Sequence, residues 1–287
     1  MRHCLLASIL LLLSQPAYGF GLGDISDIGG MIGGDSDTIY RAEQALNLAQ
    51  ALIPISDEEE LILGRAVAAR VIGRYGITQA PQQTYYLNLI GMALVQRSDR
   101  SDIAYHFAIL DTDDVNAYAC PGGFVFITRG ALSMVRDESE LAAVLAHEIA
   151  HVSERHIVNA MQKSKIMKVG GNIASDAFAY GGPLFDKMTD FATDALFEGL
   201  SKSDEYDSDK KAIEYLDRLG YDYPAMFDVI DLLDERRKAG KTQVLAKTHP
   251  TPKMRLKKLE QANRKLDLEE PTSIRLKPRF AQQIQSQ

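Results

Sequence analysis

Asp137-Glu138-Ser139-Glu140-Leu141-Ala142-Ala143-Val144-Leu145-Ala146-His147-Glu148-Ile149-Ala150-His151 is the stretch that decides the fold. Asp137 followed three residues on by Glu140 is a helix-start signature, because a short acidic side chain accepts an otherwise unpaired N–H of the first turn. Leu141, Val144 and Leu145 then recur at helical spacing. On such a helix His147 and His151 lie on one face one turn apart, with Glu148 beside them. Two imidazoles converging on one ion, a further protein ligand and an open position for water are what catalytic zinc requires. The adjacent carboxylate can then take a proton from that water. Only 6 histidines occur in 287 residues, so a chance pair at this spacing inside a well-signalled helix is the weaker reading.

The third ligand must come from elsewhere. The metzincin pattern would need Gly at 154 and His at 157, where this chain has Glu154 and Ile157, so that class is excluded. His156 is five residues past His151, which turns it away from the metal face of a straight helix; it reads as structural. A carboxylate on a later helix remains. Glu205 and Asp209 stand four apart on one helical face, Glu205 as the metal ligand and Asp209 as the group that orients a ligand histidine through its other nitrogen.

Outward from this centre, Ser56-Asp57-Glu58-Glu59 opens a helix carrying Leu61, Val67, Ala68 and Val71, and Gln82 to Val95 forms another. The period switches to two from Ile103 to Leu110, as in a half-buried strand. Val115 to Ala119, the turn Pro121-Gly122-Gly123, and Phe124 to Thr128 supply two more strands. Helical patterns return from Ser203 to Leu219, Pro224 to Lys238 and Met254 to Leu266. The expected fold is α+β: a mainly helical zincin-type domain over residues 40–270, with a small, mostly antiparallel sheet. Val115 to Ala119 is expected to be an exposed edge to which an extended peptide adds, with Asn116 and Ala117 nearest the metal. The segment Ser164 to Ser203, with its glycine pairs and Phe178, Phe185 and Phe191, is expected to cover the cleft and regulate access, the competing reading being a helical wall of the domain.

The ends read differently. Met1 to Gly19 has a positive start, an apolar run and small residues at its close, the pattern of a cleaved secretory signal; the run is too short to span a bilayer. Cys4 precedes the apolar run, which excludes a lipoprotein. Residues 20–39 read as a flexible leader and 271–287 as a loose tail. After loss of Cys4, Cys120 has no disulfide partner and reads as a small buried hydrophobe. No other stretch is apolar enough to cross a membrane, and a net charge of -7 excludes a basic nucleic-acid binder.

Four ordered segments carry a resemblance: Val115-Asn116-Ala117-Tyr118-Ala119-Cys120-Pro121-Gly122-Gly123, the pentad extended to His156, Glu205 to Asp209, and Thr248-His249-Pro250 with Arg255 after it. Over residues 40–266 the chain resembles the gluzincins of the HtpX, Oma and CAAX-prenyl-protease superfamily, most of all their soluble periplasmic branch. The resemblance implies one zinc per chain on His147, His151 and Glu205, with Glu148 as general base, Asp209 as an active-site carboxylate and His249 as an oxyanion-stabilising or zinc-blocking group. Ser208 and Ala212 depart from the usual Ala and Gly, Ser201-Lys202 stands where Arg is frequent, and Cys120 where Leu is common; the metal set is untouched. The implied activity is zinc-dependent hydrolysis of misfolded or stalled envelope proteins, including outer-membrane proteins, in the periplasm, with outer-membrane assembly machinery as a further partner. A chaperone-like factor with little proteolytic activity is the competing reading, and a purely structural zinc site a third; the latter would have no use for Glu148.

Overall fold

A computed structural model describes residues 55–164, 178, 181–239, 250–272 and 274–285. Among these, no helix is long and apolar enough to cross a membrane. The expected signal and leader lie outside the described residues, as do His249, 165–177 and 179–180.

Helix α1 (Asp57–Tyr75) starts at a capping box in which Ser56 and Glu59 satisfy each other's backbone N–H, and α2 (Pro81–Val95) follows. Strands β1 (His106–Leu110), β2 (Ala117–Cys120) and β3 (Phe124–Thr128) form one sheet in the order β1-β3-β2. Between β2 and β3 the chain reverses through Pro121–Gly123, with positive φ at Gly122 (68°) and Gly123 (92°). A Cβ at Gly123 would come within 2.2 Å of the Ala104 carbonyl oxygen, so the turn is limited to glycine by space as well as by backbone. Short α3 (Arg129–Met134) leads to the pentad helix α4 (Glu138–Ser153), then α5 (His156–Lys163), α6 (Pro183–Glu198), α7 (Lys202–Leu219), α8 (Ala225–Lys238), α9 (Pro252–Asn263) and a C-terminal turn of helix, α10 (Lys277–Phe280).

The sheet is a central layer with both faces covered. Phe107, Ile109, Val125 and Ile127 pack into a core with Leu141, Leu145 and Ile149 of α4 and with residues of α2, α7 and α8. The alternate residues Leu110, Tyr118, Cys120 and Phe126 pack against α1, α5 and α6. Cys120 is free and fully buried, as a core filler should be. Helix α4 is the hub: nearly every one of its residues is buried, and its N-cap Asp137 accepts from the Glu140 N–H at 2.9 Å.

Two expectations change. The sheet is mixed: β2 runs antiparallel to β3, but β1 runs parallel to it, Phe107 opposite Val125. Alternation within a strand reports faces, not partners, so the crossover was invisible in it. Within the segment expected to cover the cleft, α6 has Met188 and Ala192 fully buried beside Phe178 and Phe185, and its end with Leu200 lines a cleft shared with Glu148 and His151. The segment read as a loose tail is docked: Phe280 is 1 % exposed, and Arg279 pairs with the buried Glu138 carboxylate at the start of α4. The Arg275 carbonyl accepts the Glu138 N–H at 3.2 Å, satisfying one of the unpaired donors of that helix end.

Candidate metal centre

Helices α4 and α7 pack face to face, which brings Glu205 against the pentad. Ser201 caps α7 through a box with Asp204, and Gly220 closes it in the left-handed conformation, so the helix register that presents Glu205 and Asp209 is fixed at both ends. The two imidazoles of α4 converge, Nε2 to Nε2, at 3.1 Å. The Glu205 carboxylate reaches them at 3.6 Å from His147 and 3.5 Å from His151. One ligand atom from each of the three lies within 4.8 Å of the others. A tetrahedral ion with bonds of about 2.0–2.1 Å needs donor atoms spaced by roughly 3.3 Å, so this donor set fits one divalent cation and matches zinc chemistry. All three side chains are buried.

Each histidine is held from behind. The Asp209 carboxylate contacts His147 Nδ1 at 2.9 Å and is itself gripped by the buried Arg255 guanidinium. Burial by itself would raise the Asp209 carboxyl, but Arg255 and the hydrogen bond to His147 hold it at about 2. Burial pushes His147 down, and the Asp209 and Glu205 carboxylates outweigh it, raising the ring to about 9. His151 Nδ1 meets His156 Nδ1 at 3.0 Å. That contact overturns the reading of His156 as turned away. Helix α4 ends at Ser153, Arg155 takes the left-handed conformation (φ 54°), and the chain swings His156 back toward the ligands. A local kink defeats an argument that assumed a straight helix.

Glu148 is buried beside the ligands and lines two clefts that meet at Glu148 and Ala117 of β2. On the His147 side the wall is apolar, built from Val115, Ala131, Met134, Val144, Met226 and Val229, with Asn116 and Arg255 as its polar members. On the His151 side it is formed by Tyr118, Ala119 and the end of α6 through Leu200. Asn116 and Ala117 line the first of these clefts together with His147 and Glu148, and among the described residues the buried Asn116 Oδ1 has no hydrogen-bond partner.

A family model, peptidase family M48, matches residues 81–263. The chain belongs to peptidase family M48. It is therefore a metallopeptidase, with a divalent-metal site as the family implies. Curated relatives agree. The chain is 30% identical over 210 residues to the beta-barrel assembly-enhancing protease of Escherichia coli K12, covering 70% of this chain and 43% of that protein. It is 27% identical over 195 residues to the mitochondrial metalloendopeptidase OMA1 of Schizosaccharomyces pombe, covering 67% and 57%. Metalloprotease YcaL of Escherichia coli K12 is 24% identical over 218 residues, covering 75% and 83%. The match thus spans less than half the length of the beta-barrel assembly-enhancing protease.

Three residues that the sequence alone gave no role take part in buried ion pairs around the site. Arg255 was part of a matching segment, and its buried bond to Asp209 needed the packing of α9 on α7 to appear. Glu60 is fully buried on α1 and held by Arg100 at 3.0 and 2.9 Å. Arg155 sits 2.8 Å from the same carboxylate. A buried glutamate in an acidic helix start leaves no signal in periodicity.

Proposed function

We propose that this chain is a zinc-dependent endopeptidase with one zinc per chain, held by His147, His151 and Glu205, and Glu148 as general base. The observation that carries this reading is the convergence of the three donor atoms within 4.8 Å, with Glu148 next to them at the junction of two clefts. When bound, zinc supplies Lewis-acid polarisation of the scissile carbonyl and lowers the pKa of the attacking water. Glu148 takes the proton of that water and returns it to the leaving amine. Asp209, kept ionised by Arg255, holds His147 in the tautomer that leaves Nε2 free to coordinate. His249 is the proposed additional group at the oxyanion, on the resemblance of its segment.

Substrate lies along β2 as an added strand. That strand is at the sheet edge, its residues line both clefts, and Asn116 offers a peptide N–H a buried acceptor that is unpaired among the described residues. Main-chain recognition tolerates many sequences, which suits a quality-control enzyme. The proposed substrates are misfolded or stalled envelope proteins, including outer-membrane proteins, and the proposed compartment is the periplasm, reached through the signal read in Met1 to Gly19. The similarity to beta-barrel assembly-enhancing proteases supports both, and the outer-membrane assembly machinery as a partner. The test is zinc content and casein digestion for the wild type and Glu148→Gln. The variant should keep its metal and lose about 10²–10⁴-fold in rate. Activity near wild type would refute Glu148 as the base.

A further inference from the structure

Resting on the metal-site reading above, we propose that His156 is a positioning residue for His151: it accepts the His151 Nδ1–H through its own Nδ1 and passes its remaining N–H toward Asp207. The two histidine ligands would then be oriented by different chemistry, His147 by a carboxylate and His151 by a neutral ring.

A neutral imidazole that coordinates through Nε2 carries its proton on Nδ1, and a buried N–H needs an acceptor. His151 points Nε2 at His147 and Glu205, so Nδ1 is the protonated atom. The atom 3.0 Å from it is His156 Nδ1. Two ring nitrogens share a hydrogen bond only when one presents a lone pair, which puts the His156 proton on Nε2. The Asp207 carboxylate lies 3.7 Å from that atom, on the partly exposed side of α7. Ser208 Oγ stands 3.4 Å from the same His156 Nδ1, the longer and weaker of the two contacts on that atom. The His151 Nδ1–H is thus answered by an imidazole where a ligand histidine ordinarily meets a carboxylate, carbonyl or water, with Asp207 near the far ring nitrogen as a charge beyond hydrogen-bond distance.

The fold supplies this ring by a specific device. On a continuous helix a residue five past His151 would lie about 140° round the axis. Arg155 breaks the helix instead, in a left-handed conformation that side chains other than glycine adopt reluctantly. It is held there by its guanidinium, which donates to the Ile55 carbonyl at 2.5 Å and lies 2.8 Å from Glu60. Glu60 is in turn fixed by Arg100 and by the Gly122 N–H at 3.0 Å, in the turn between β2 and β3. The same buried carboxylate therefore ties together the kink that delivers His156 and the turn that ends the edge strand.

The decisive measurement is NMR on protein with ¹⁵N-labelled histidine, metal-free and zinc-loaded. A scalar coupling between His151 Nδ1 and His156 Nδ1, transmitted through the hydrogen bond, is expected in both states; its absence in the wild type overturns the proposal. Variants add a second readout. His156→Leu removes the acceptor and should weaken zinc binding about 10- to 100-fold in chelator competition. His156→Asn keeps an acceptor oxygen near the Nδ1 position and should recover most of that loss, with metal-free melting temperatures of the two variants alike. Equal losses in both variants, or unchanged affinity in His156→Leu, overturn the role. If His156→Leu does not fold, the wild-type coupling decides alone. A wild type that binds no zinc refutes the metal reading separately, while the metal-free coupling still reports on the His151–His156 pair.

Discussion

Both carboxylate oxygens of Asp209 are bound by the guanidinium of Arg255, at 2.9 and 2.5 Å, across 46 positions of sequence. The pair is buried, and one oxygen of Asp209 also meets His147. Arg255→Met removes the bidentate partner of the buried Asp209 carboxylate and leaves it His147, and breaking a buried pair in this way costs about 3 kcal/mol or more. Asp209 is held at about 2 in the native protein, so its contribution is present above the ordinary aspartate value and is lost as pH falls through 2. In the variant the buried carboxyl titrates higher and protonation relieves the penalty. Metal-free urea unfolding should therefore show a large deficit at pH 7 that shrinks toward pH 4. A deficit independent of pH would mean that Arg255 acts through packing alone.

Glu205→Ala removes one of the three converging donors and leaves the histidine pair in place. Zinc retention against a chelator should fall by more than the 10- to 100-fold typical of losing an outer hydrogen-bond partner. Undiminished retention would remove Glu205 from the ligand set.

Asn116 offers a test with opposite signs. Its Oδ1 is buried without a partner among the described residues, so Asn116→Leu relieves a desolvated acceptor and should leave stability equal or higher. If that oxygen receives a substrate N–H, the same change should lower kcat/KM on peptides roughly 5- to 100-fold, by the worth of a buried hydrogen bond. Steady-state kinetics beside a thermal melt reads both. Unchanged kinetics would take Asn116 out of substrate binding.

The docked C-terminal segment should matter for folding. Phe280→Ala is expected to cost about 3–5 kcal/mol in denaturant unfolding. Glu138, at the start of α4, adds a pH signature. Burial raises its carboxyl, but Arg279, Tyr221 and Tyr86 outweigh that and hold it below the ordinary glutamate range. Its stabilisation is complete above about pH 4.3 and is lost as pH falls through the lower native value. Acid unfolding of Glu138→Gln should therefore be flatter than that of the wild type across this window. Identical acid limbs would refute the role of the carboxylate.

What the sequence determined by itself was everything that local periodicity and capping can encode. The helix start at Asp137, the shared face of His147 and His151, the Glu205–Asp209 pair and the Gly220 stop are relations within one or two turns, and chain geometry realises them wherever the helix forms. The α+β class and the strand Phe124–Thr128 followed for the same reason. Tertiary structure alone decided the rest. The parallel pairing of β1 with β3 depends on a crossover that alternation does not record. Arg255 meets Asp209 only because α9 packs on α7, and Arg279 meets Glu138 only because Phe280 finds the core. His156 returned to the ligands because Glu60, nearly a hundred residues upstream, holds Arg155 in a left-handed kink. These are buried charges whose partners are distant in sequence; a buried charge must be answered in space, and sequence order does not say by whom.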